Sequence, residues 1–344
     1  DIHIEPGERH ARIRLRIDGM LITRWELEIE RVAPLVNKIK ILAGLDIAEK
    51  RLPQDGRFSS QLRGEKIDLR ISTIPVKHGE KTVLRVLSRN LQALELDHIG
   101  LVDEKLKAFK RAISMPHGLV LVSGPTGSGK STTLYAALMA INSPTRNIVS
   151  VEDPIEYSIA GVNQVQLREN VGLTFPMALR SFLRQDPDVI MVGEIRDEAT
   201  AMVAVKAALT GHLVLSTIHT NSAQETTTRL VDMGVPKFLV ENTLNLALAQ
   251  RLVKCLCEKC KAPSSNIPEE LKSMIQNGDS IYSAIGCSDC YETGFSGRIA
   301  IFEIYDPHNP NPSSCLAEEA LTLLKKGQST WEEVRPFLSL THAI

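Results

Sequence analysis

Two kinds of periodicity divide this chain. Over residues 11–17, ARIRLRI, apolar Ile13, Leu15 and Ile17 alternate with Arg12, Arg14 and Arg16, and Asp18-Gly19 then leads into a second apolar run, MLITRW. Period-two alternation on both sides of an Asp-Gly pair predicts a β-hairpin. Val32, Leu35, Val36, Ile39 and Leu42 recur at helical spacing and stop by Gly44, which predicts a helix over residues 30–45. KIDLRISTI and KTVLRVL, at 66–74 and 81–87, read as further strands, so the opening region is α+β.

Farther along, the pattern changes. Leu119–Val122, Ile148–Val151, Val189–Val192 and Leu213–Ile218 are short β-rich runs separated by stretches of helical spacing. That alternation predicts a parallel sheet with helices on both faces and a ligand at the carboxyl ends of the strands. A helix over Glu104–Ile113 leads into the first of these strands, and the boundary between the regions falls in Ser88–Asp103. The expected domains are 1–95 and 96–344. Asp306–Ser314 is rich in Pro, Asn and Ser and reads as a loop, followed by a helix over Leu316–Lys326 and another capped by Thr330-x-x-Glu333.

A chain of 344 residues is long enough for about two domains with separate cores, and 43% hydrophobic with 24% charged residues is ordinary for a globular protein. The net charge of -1 speaks against a broadly basic, nucleic-acid-binding surface. The most apolar long stretch, Ala201–Ile218, is interrupted by Lys206, Gly211 and His212, so it does not read as a bilayer-spanning helix. The chain opens on Asp1 without Met or an apolar leader, which suggests an excised or incomplete protein.

The strand Leu119–Val122 runs into GPTGSGKST, residues 124–132, and a helix follows from near Ser131. Glycines at Gly124, Gly127 and Gly129, spaced by Pro125, Thr126 and Ser128, let successive backbone N–H groups face phosphate oxygens while the helix points its positive end at them. In this reading Lys130 neutralises phosphate charge, and Ser131, followed by Thr132, holds Mg²⁺. Later strands end in polar groups where a γ-phosphate would lie: Glu152 and Asp153 in VEDP, Glu194 in VIMVGEIRD, and His219 in LVLSTIH. Phosphoryl transfer needs a metal, an oriented water and positive charge. Glu194 fits the metal-water role and Glu152 the water-orienting role, and the two are exchangeable at this stage. Against this, any one strand-end carboxylate commonly caps the next helix, as Asp153 could, and a lone histidine is commonly a buried, hydrogen-bonded one. Arg180 and Arg184 lie four apart in FPMALRSFLRQDP, opposite Leu179, Phe182 and Leu183, and Arg196 follows Glu194 by two; Arg57, Arg70 and Arg85 fall on strands or turns of the first domain.

Cys257-x-x-Cys260 and Cys287-x-x-Cys290, with 26 residues between the pairs, supply four thiolates suited to one structural Zn²⁺. The gap exceeds the usual ribbon spacing of about 15–20 residues, so an inserted helix, over Pro268–Gln276, is expected to fill it. A disulfide pair is the rival reading, disfavoured for a reducing cytosol. Cys255 offers an alternative ligand, and Cys315 reads as a small apolar residue.

GPTGSGKST, VEDPIEY, LRQDPDVIMVGEIRD and TGHLVLSTIHTNSA, in this order, resemble the Walker A, aspartate, Walker B and histidine boxes of the secretion ATPase superfamily. DIHIEP, RIDG, LPQDGR and GEKTVLRVL upstream, with the paired cysteines and GFSGRIAIFEIY downstream, narrow the likeness to the type II secretion and type IV pilus assembly ATPases, from Asp1 to about Tyr305. The resemblance implies a RecA-like P-loop ATPase core, a preceding PAS-like α+β domain and a zinc subdomain over 255–297. It further implies ATP hydrolysis with Mg²⁺, a homo-hexameric ring at the cytoplasmic face of the inner membrane, a polytopic platform protein and a membrane-recruiting partner. By the same analogy Lys130, Glu152, Glu194 and His219 carry the nucleotide chemistry, with His212 a weaker member. Arg70 and Arg85 reach the phosphates; Arg180, Arg184, Arg196 and Arg229 serve around the site and between subunits.

The chain departs from this pattern at its ends: it begins at the second of the family's N-terminal domains, and after Tyr305 the loop DPHNPNPSS and a shortened helical end replace a long helical tail. Two other readings belong to different classes. A P-loop nucleic-acid translocase for DNA uptake or transfer shares the core and predicts stimulation by polynucleotide. A non-catalytic nucleotide-sensing module would lack the strand-end acids, which are present here.

Overall fold

A computed structural model describes residues 1–62, 64–87, 95–101, 103–264, 267–275, 279–309 and 315–338. Contacts divide the chain into two units, Asp1–Asn90 and Leu91–Ile344. Residues 88–94 and 102 of the expected boundary, 310–314 of the expected loop, and Gln276 lie outside the described residues.

In the first unit β1 (Ile2–Pro6), β2 (His10–Ile17), β3 (Met20–Glu28), α1 (Val32–Leu42), β4 (Gln54–Leu62), β5 (Glu65–Val76) and β6 (Gly79–Leu87) form a six-stranded antiparallel sheet with one helix. The strand order is β3-β2-β1-β6-β5-β4. Asp18 and Gly19, both at positive φ, make the β2–β3 turn that the sequence predicts. Alternation then sorts the side chains: Ile4, Ala11, Leu69, Ile71 and Leu84 turn inward against Val32, Val36 and Ile39 of α1. β1 and β4 carry too few apolar alternates to be predicted; pairing with β2, β6 and β5 makes them strands.

The second unit contains α2 (Asp103–Ser114), β7 (Gly118–Ser123), α3 (Lys130–Ile141), β8 (Ile148–Glu152), β9 (Val162–Gln166), α4 (Phe175–Phe182), β10 (Val189–Val192), α5 (Glu198–Leu209), β11 (Leu213–Ile218), α6 (Glu225–Asp232), α7 (Lys237–Thr243) and β12 (Leu244–Leu256). It continues through β13 (Ala262–Pro263), α8 (Glu269–Lys272), β14 (Tyr282–Ser283), β15 (Phe295–Tyr305), α9 (Leu316–Lys325) and α10 (Trp331–Leu338). Its seven-stranded sheet runs β15-β12-β7-β11-β10-β8-β9. It is parallel except for β15, which returns antiparallel to β12. Leu119 and Leu121 face one core with α4, α5, α9 and α10, whereas Val120 and Val122 face the other with α2 and α3. This is the doubly covered α/β sheet that buried strands require.

Three local expectations need correction. The inserted helix shrinks to the four residues of α8. Thr330 does not form a capping box, because Glu333 turns instead to Lys254 at 2.8 Å and the Thr330 hydroxyl stays buried without a partner among the described residues. Cys315 is the N-cap of α9, its N–H donating to Glu318, rather than a packed apolar residue. Among the described residues no helix is long and apolar enough to cross a membrane.

Candidate functional site

Residues 124–129 join β7 to α3, and the loop is shaped by what stands behind it. Gly124 has φ 145° and Gly129 φ 90°, conformations that L side chains avoid. A Cβ on Gly124 would fall 2.5 Å from the Gln250 carbonyl oxygen and 2.7 Å from Ser128 Oγ, and one on Gly129 would fall 2.7 Å from Gln250 Nε2. Gln250 therefore forms the floor of the loop. Its Oε1 accepts from Thr133 of α3 at 2.7 Å. Beside it Arg251, also buried, donates to the Gln250 carbonyl at 3.0 Å and to the Asn221 carbonyl at 2.8 Å, joining the loop's floor to the segment after β11.

Lys130 opens α3 and is 9% exposed. Its ammonium donates to the carbonyls of Gly124 and Pro125 at 2.8 and 2.9 Å, which uses two of its three protons. Burial lowers its pKa, opposed by Glu194 and reinforced by Arg251. Ser128 Oγ is buried in the same loop with no partner among the described residues, and Ser131 stands exposed in the first turn of α3. An orphaned hydroxyl, glycines that no Cβ could replace and a spare ammonium proton fit a phosphate, and Ser131 is placed to hold its Mg²⁺.

Glu194 follows β10 by two residues and forms an ion pair with Arg196. His219, next after β11, is 3.8 Å from Glu194 and 46% exposed. Burial and then the charge of Lys130 lower the His219 pKa, while Glu194 pulls it upward. The structure thus gathers Lys130, Glu194, Arg196 and His219 at the carboxyl ends of three neighbouring strands. A cleft of about 530 Å³ opens there, lined among others by Gly124, Pro125, His219, Asn221, Glu225 and Arg229.

Glu152 ends β8 but is 3% exposed, its carboxylate taken by Ser150 Oγ at 2.6 Å, by Gln164 Nε2 at 3.0 Å and by the Tyr135 hydroxyl. Asp153 precedes a segment with no helix, so it caps none. Asp197, in contrast, caps α5 through Thr200 N–H at 2.8 Å. His212 is a correction to the expected set: it stands at the start of β11, where its carbonyl accepts from Gly118 N–H, at the opposite end of the strands from the phosphate loop. Arg184 lies beyond the end of α4 and donates back to the Arg180 carbonyl at 2.9 Å. Arg70 and Arg85 belong to the first unit, where Arg57, Arg70 and Arg85 are direct cross-strand neighbours and Arg85 pairs with Asp1 at 3.1 Å.

At the tip of the β12–β15 hairpin, Cys257, Cys260, Cys287 and Cys290 bring their sulfurs within 4.8 Å of one another. The spacings Cys257–Cys287, Cys260–Cys290 and Cys287–Cys290 are 3.9, 3.8 and 3.7 Å. A tetrahedral Zn²⁺ with bonds of about 2.3 Å requires sulfurs about 3.8 Å apart, so the four thiols fit that ion; Cys255 is outside the cluster. Cys290 Sγ also accepts from Cys287 and Gly294 N–H at 3.1 and 3.2 Å, as second-sphere donors would.

Sequence reasoning missed Gln250, Arg251, Tyr135, Ser150 and Gln164. The available signal was a polar pair inside the apolar run LNLALAQRLV and one aromatic in the small apolar helix KSTTLYAALMAI.

The sequence matches the family described as type II/IV secretion system protein over residues 1–336. It is 49% identical over 313 residues to the type IV pilus assembly ATPase PilB of Myxococcus xanthus, covering 88% of this chain and 55% of that protein. It is 48% identical over 315 residues to the type II secretion system protein E of Pseudomonas aeruginosa, covering 90% and 62%. The chain therefore spans little more than half the length of these relatives. Among solved structures, the pilus retraction motor PilT with bound ADP is similar at TM-score 0.62 and 26% identity, over 97% of this chain and 92% of that one. The Legionella pneumophila ATPase DotB shares the fold at TM-score 0.70 and 21% identity, over 99% and 91%.

Proposed function

The chain belongs to the type II/IV secretion system protein family, and on that premise we propose that it is an ATPase motor that drives assembly of a pilin-like filament in type II secretion or type IV pilus biogenesis. The observation that carries the reading is the convergence of Lys130, Glu194, Arg196 and His219 beside a glycine-shaped phosphate loop at the ends of parallel strands. Loop N–H groups and Lys130 bind the β- and γ-phosphates of ATP, and His219, its pKa lowered by burial and the charge of Lys130, is a hydrogen-bonding group near them. Mg²⁺, when bound at Ser131, supplies charge neutralisation at the phosphate oxygens. Glu194 holds the metal's water and Glu152 orients the attacking one. The tetracysteine cluster binds Zn²⁺ as a structural brace. A homo-hexameric ring at the cytoplasmic face of the inner membrane, a polytopic platform protein and a membrane-recruiting partner complete the reading, on the strength of family resemblance.

The test is ATP turnover per chain against protein concentration, with and without DNA. Turnover that rises steeply with concentration and ignores DNA is expected. Stimulation by DNA would favour a nucleic-acid translocase, and no turnover at any concentration would reject the motor.

A further inference from the structure

Glu152 is a buried ionisable group with no cation paired to it among the described residues, and what surrounds it is specific. Ser150 and Gln164 donate to Oε1, and the Tyr135 hydroxyl donates to Oε2. A carboxylate offers about four acceptor positions, so three donors leave about one, on the oxygen that Tyr135 holds. Tyr135 is 1% exposed, and burial followed by the nearby charge of Glu152 raises its pKa, so it remains a donor. The same hydroxyl accepts from Glu156 N–H at 3.1 Å and Tyr157 N–H at 3.5 Å, and the two tyrosine rings meet edge to face at 5.3 Å. One phenol therefore fixes both the carboxylate and the turn that follows it.

Tyr135 belongs to α3, the helix that Lys130 and Ser131 open. Five residues along a rigid helix is about 7.5 Å. The hydroxyl thus indexes the Glu152 carboxylate to the phosphate loop through the helix itself, whereas Ser150 of β8 and Gln164 of β9 hold only its other oxygen, Oε1.

We propose that Tyr135, seconded by Gln164, is a positioning residue that aims the remaining acceptor position of Glu152 at the attacking water. The proposal rests on the ATPase reading above. In the step it serves, the water oxygen bonds to the γ-phosphorus as the bond to the β–γ bridging oxygen breaks; the water's proton passes to Glu152 and then to the phosphate product, and ADP leaves. Tyr135 exchanges no proton. It limits where the acceptor points.

The experiment measures steady-state and single-turnover ATP hydrolysis by the wild type, Tyr135→Phe, Gln164→Leu, Glu152→Gln, Lys130→Ala and the double variant Tyr135→Phe/Glu152→Gln. Tyr135→Phe keeps the ring and its packing, and is expected to lower kcat roughly 10- to 100-fold with KM for ATP within about twofold, the pattern of a lost transition-state contact. Gln164→Leu, on the more exposed edge strand β9, is expected to give a smaller loss of the same kind, about 3- to 10-fold. In the Glu152→Gln background Tyr135→Phe should cost nothing further, because residues that act through one another are non-additive. Near-normal kcat in Tyr135→Phe, or an equal loss with and without Glu152, overturns the proposal. Full turnover in Glu152→Gln alongside loss in Lys130→Ala overturns it while leaving the ATPase reading intact. Absence of turnover in the wild type rejects that reading and the proposal with it.

Discussion

The phosphate loop and the tetracysteine cluster are both ligand cradles in the second unit, built in opposite ways. The loop is backbone: glycines at positive φ, carbonyls that hold Lys130, and a floor supplied by Gln250 and Arg251 from a distant strand. The cluster is side chain: two short knuckles whose four sulfurs already stand at tetrahedral spacing. β12 joins them, since it carries Gln250 and Arg251 against the loop and ends one residue before Cys257. A backbone cradle depends on residues far away in sequence, whereas a side-chain cradle depends mainly on its own ligands. The two should therefore fail differently.

The largest effect is expected from breaking the self-contained cradle. Replacing Cys287 with Ser removes one of four ligands, and structural zinc sites carry metal-binding free energy on the order of 10 kcal/mol. Elemental analysis should find zinc in the wild type and little in the variant, and limited proteolysis should open the segment 255–297. ATP affinity should stay within a few-fold. A collapse of nucleotide binding as complete as the zinc loss would erase the distinction between the two regions.

Arg251→Ala tests the other side of the comparison. It leaves the Gln250 and Asn221 carbonyls without their arginine donor, and an acceptor left unsatisfied in the interior commonly costs about 1–3 kcal/mol. Urea unfolding should show that loss, ATP affinity should fall, and zinc content should be unchanged. Wild-type ATP affinity in a destabilised variant would mean the loop stands without its floor.

The smallest expected effect is one of pH. Burial and Lys130 hold the His219 pKa below its ordinary 6.5. Between 6.5 and that lower folded value the unfolded chain binds more protons, so stability drops as pH falls through the window. His219→Asn should flatten this part of the stability profile slightly, because the side chain is nearly half exposed. An unchanged slope would mean the imidazole does not feel the loop's charge.

How much of this was readable in advance follows from the same contrast. The cysteine pairs and the G-x-x-x-x-G-K-S loop are chemistry written in consecutive residues, so the sequence exposes them directly. The supports are not. Thr133 meets Gln250 across 117 positions, and Tyr135 meets Glu152 through a strand–helix contact that no local spacing encodes. β12 carries apolar residues on both faces and lacks the alternation that marks a half-exposed strand; only its place between β7 and β15 defines it. His212 immediately precedes the Leu213–Ile218 run, so its place at the amino end of β11 is legible in the sequence; only the resemblance to the histidine box groups it with the site. The Thr330 cap failed because Glu333 had a tertiary partner, Lys254, available instead.

On the proposed reading the phosphate loop holds ATP, while Glu194, through the metal's water, serves only the hydrolytic step. The direct test is ATP binding and turnover measured side by side for the wild type, Lys130→Ala and Glu194→Gln. Lys130→Ala is expected to lose both, and Glu194→Gln to bind ATP about as tightly as the wild type while turnover falls by about 10³-fold or more, the scale of a lost charged group in phosphoryl transfer. Substantial hydrolysis by either variant would contradict it.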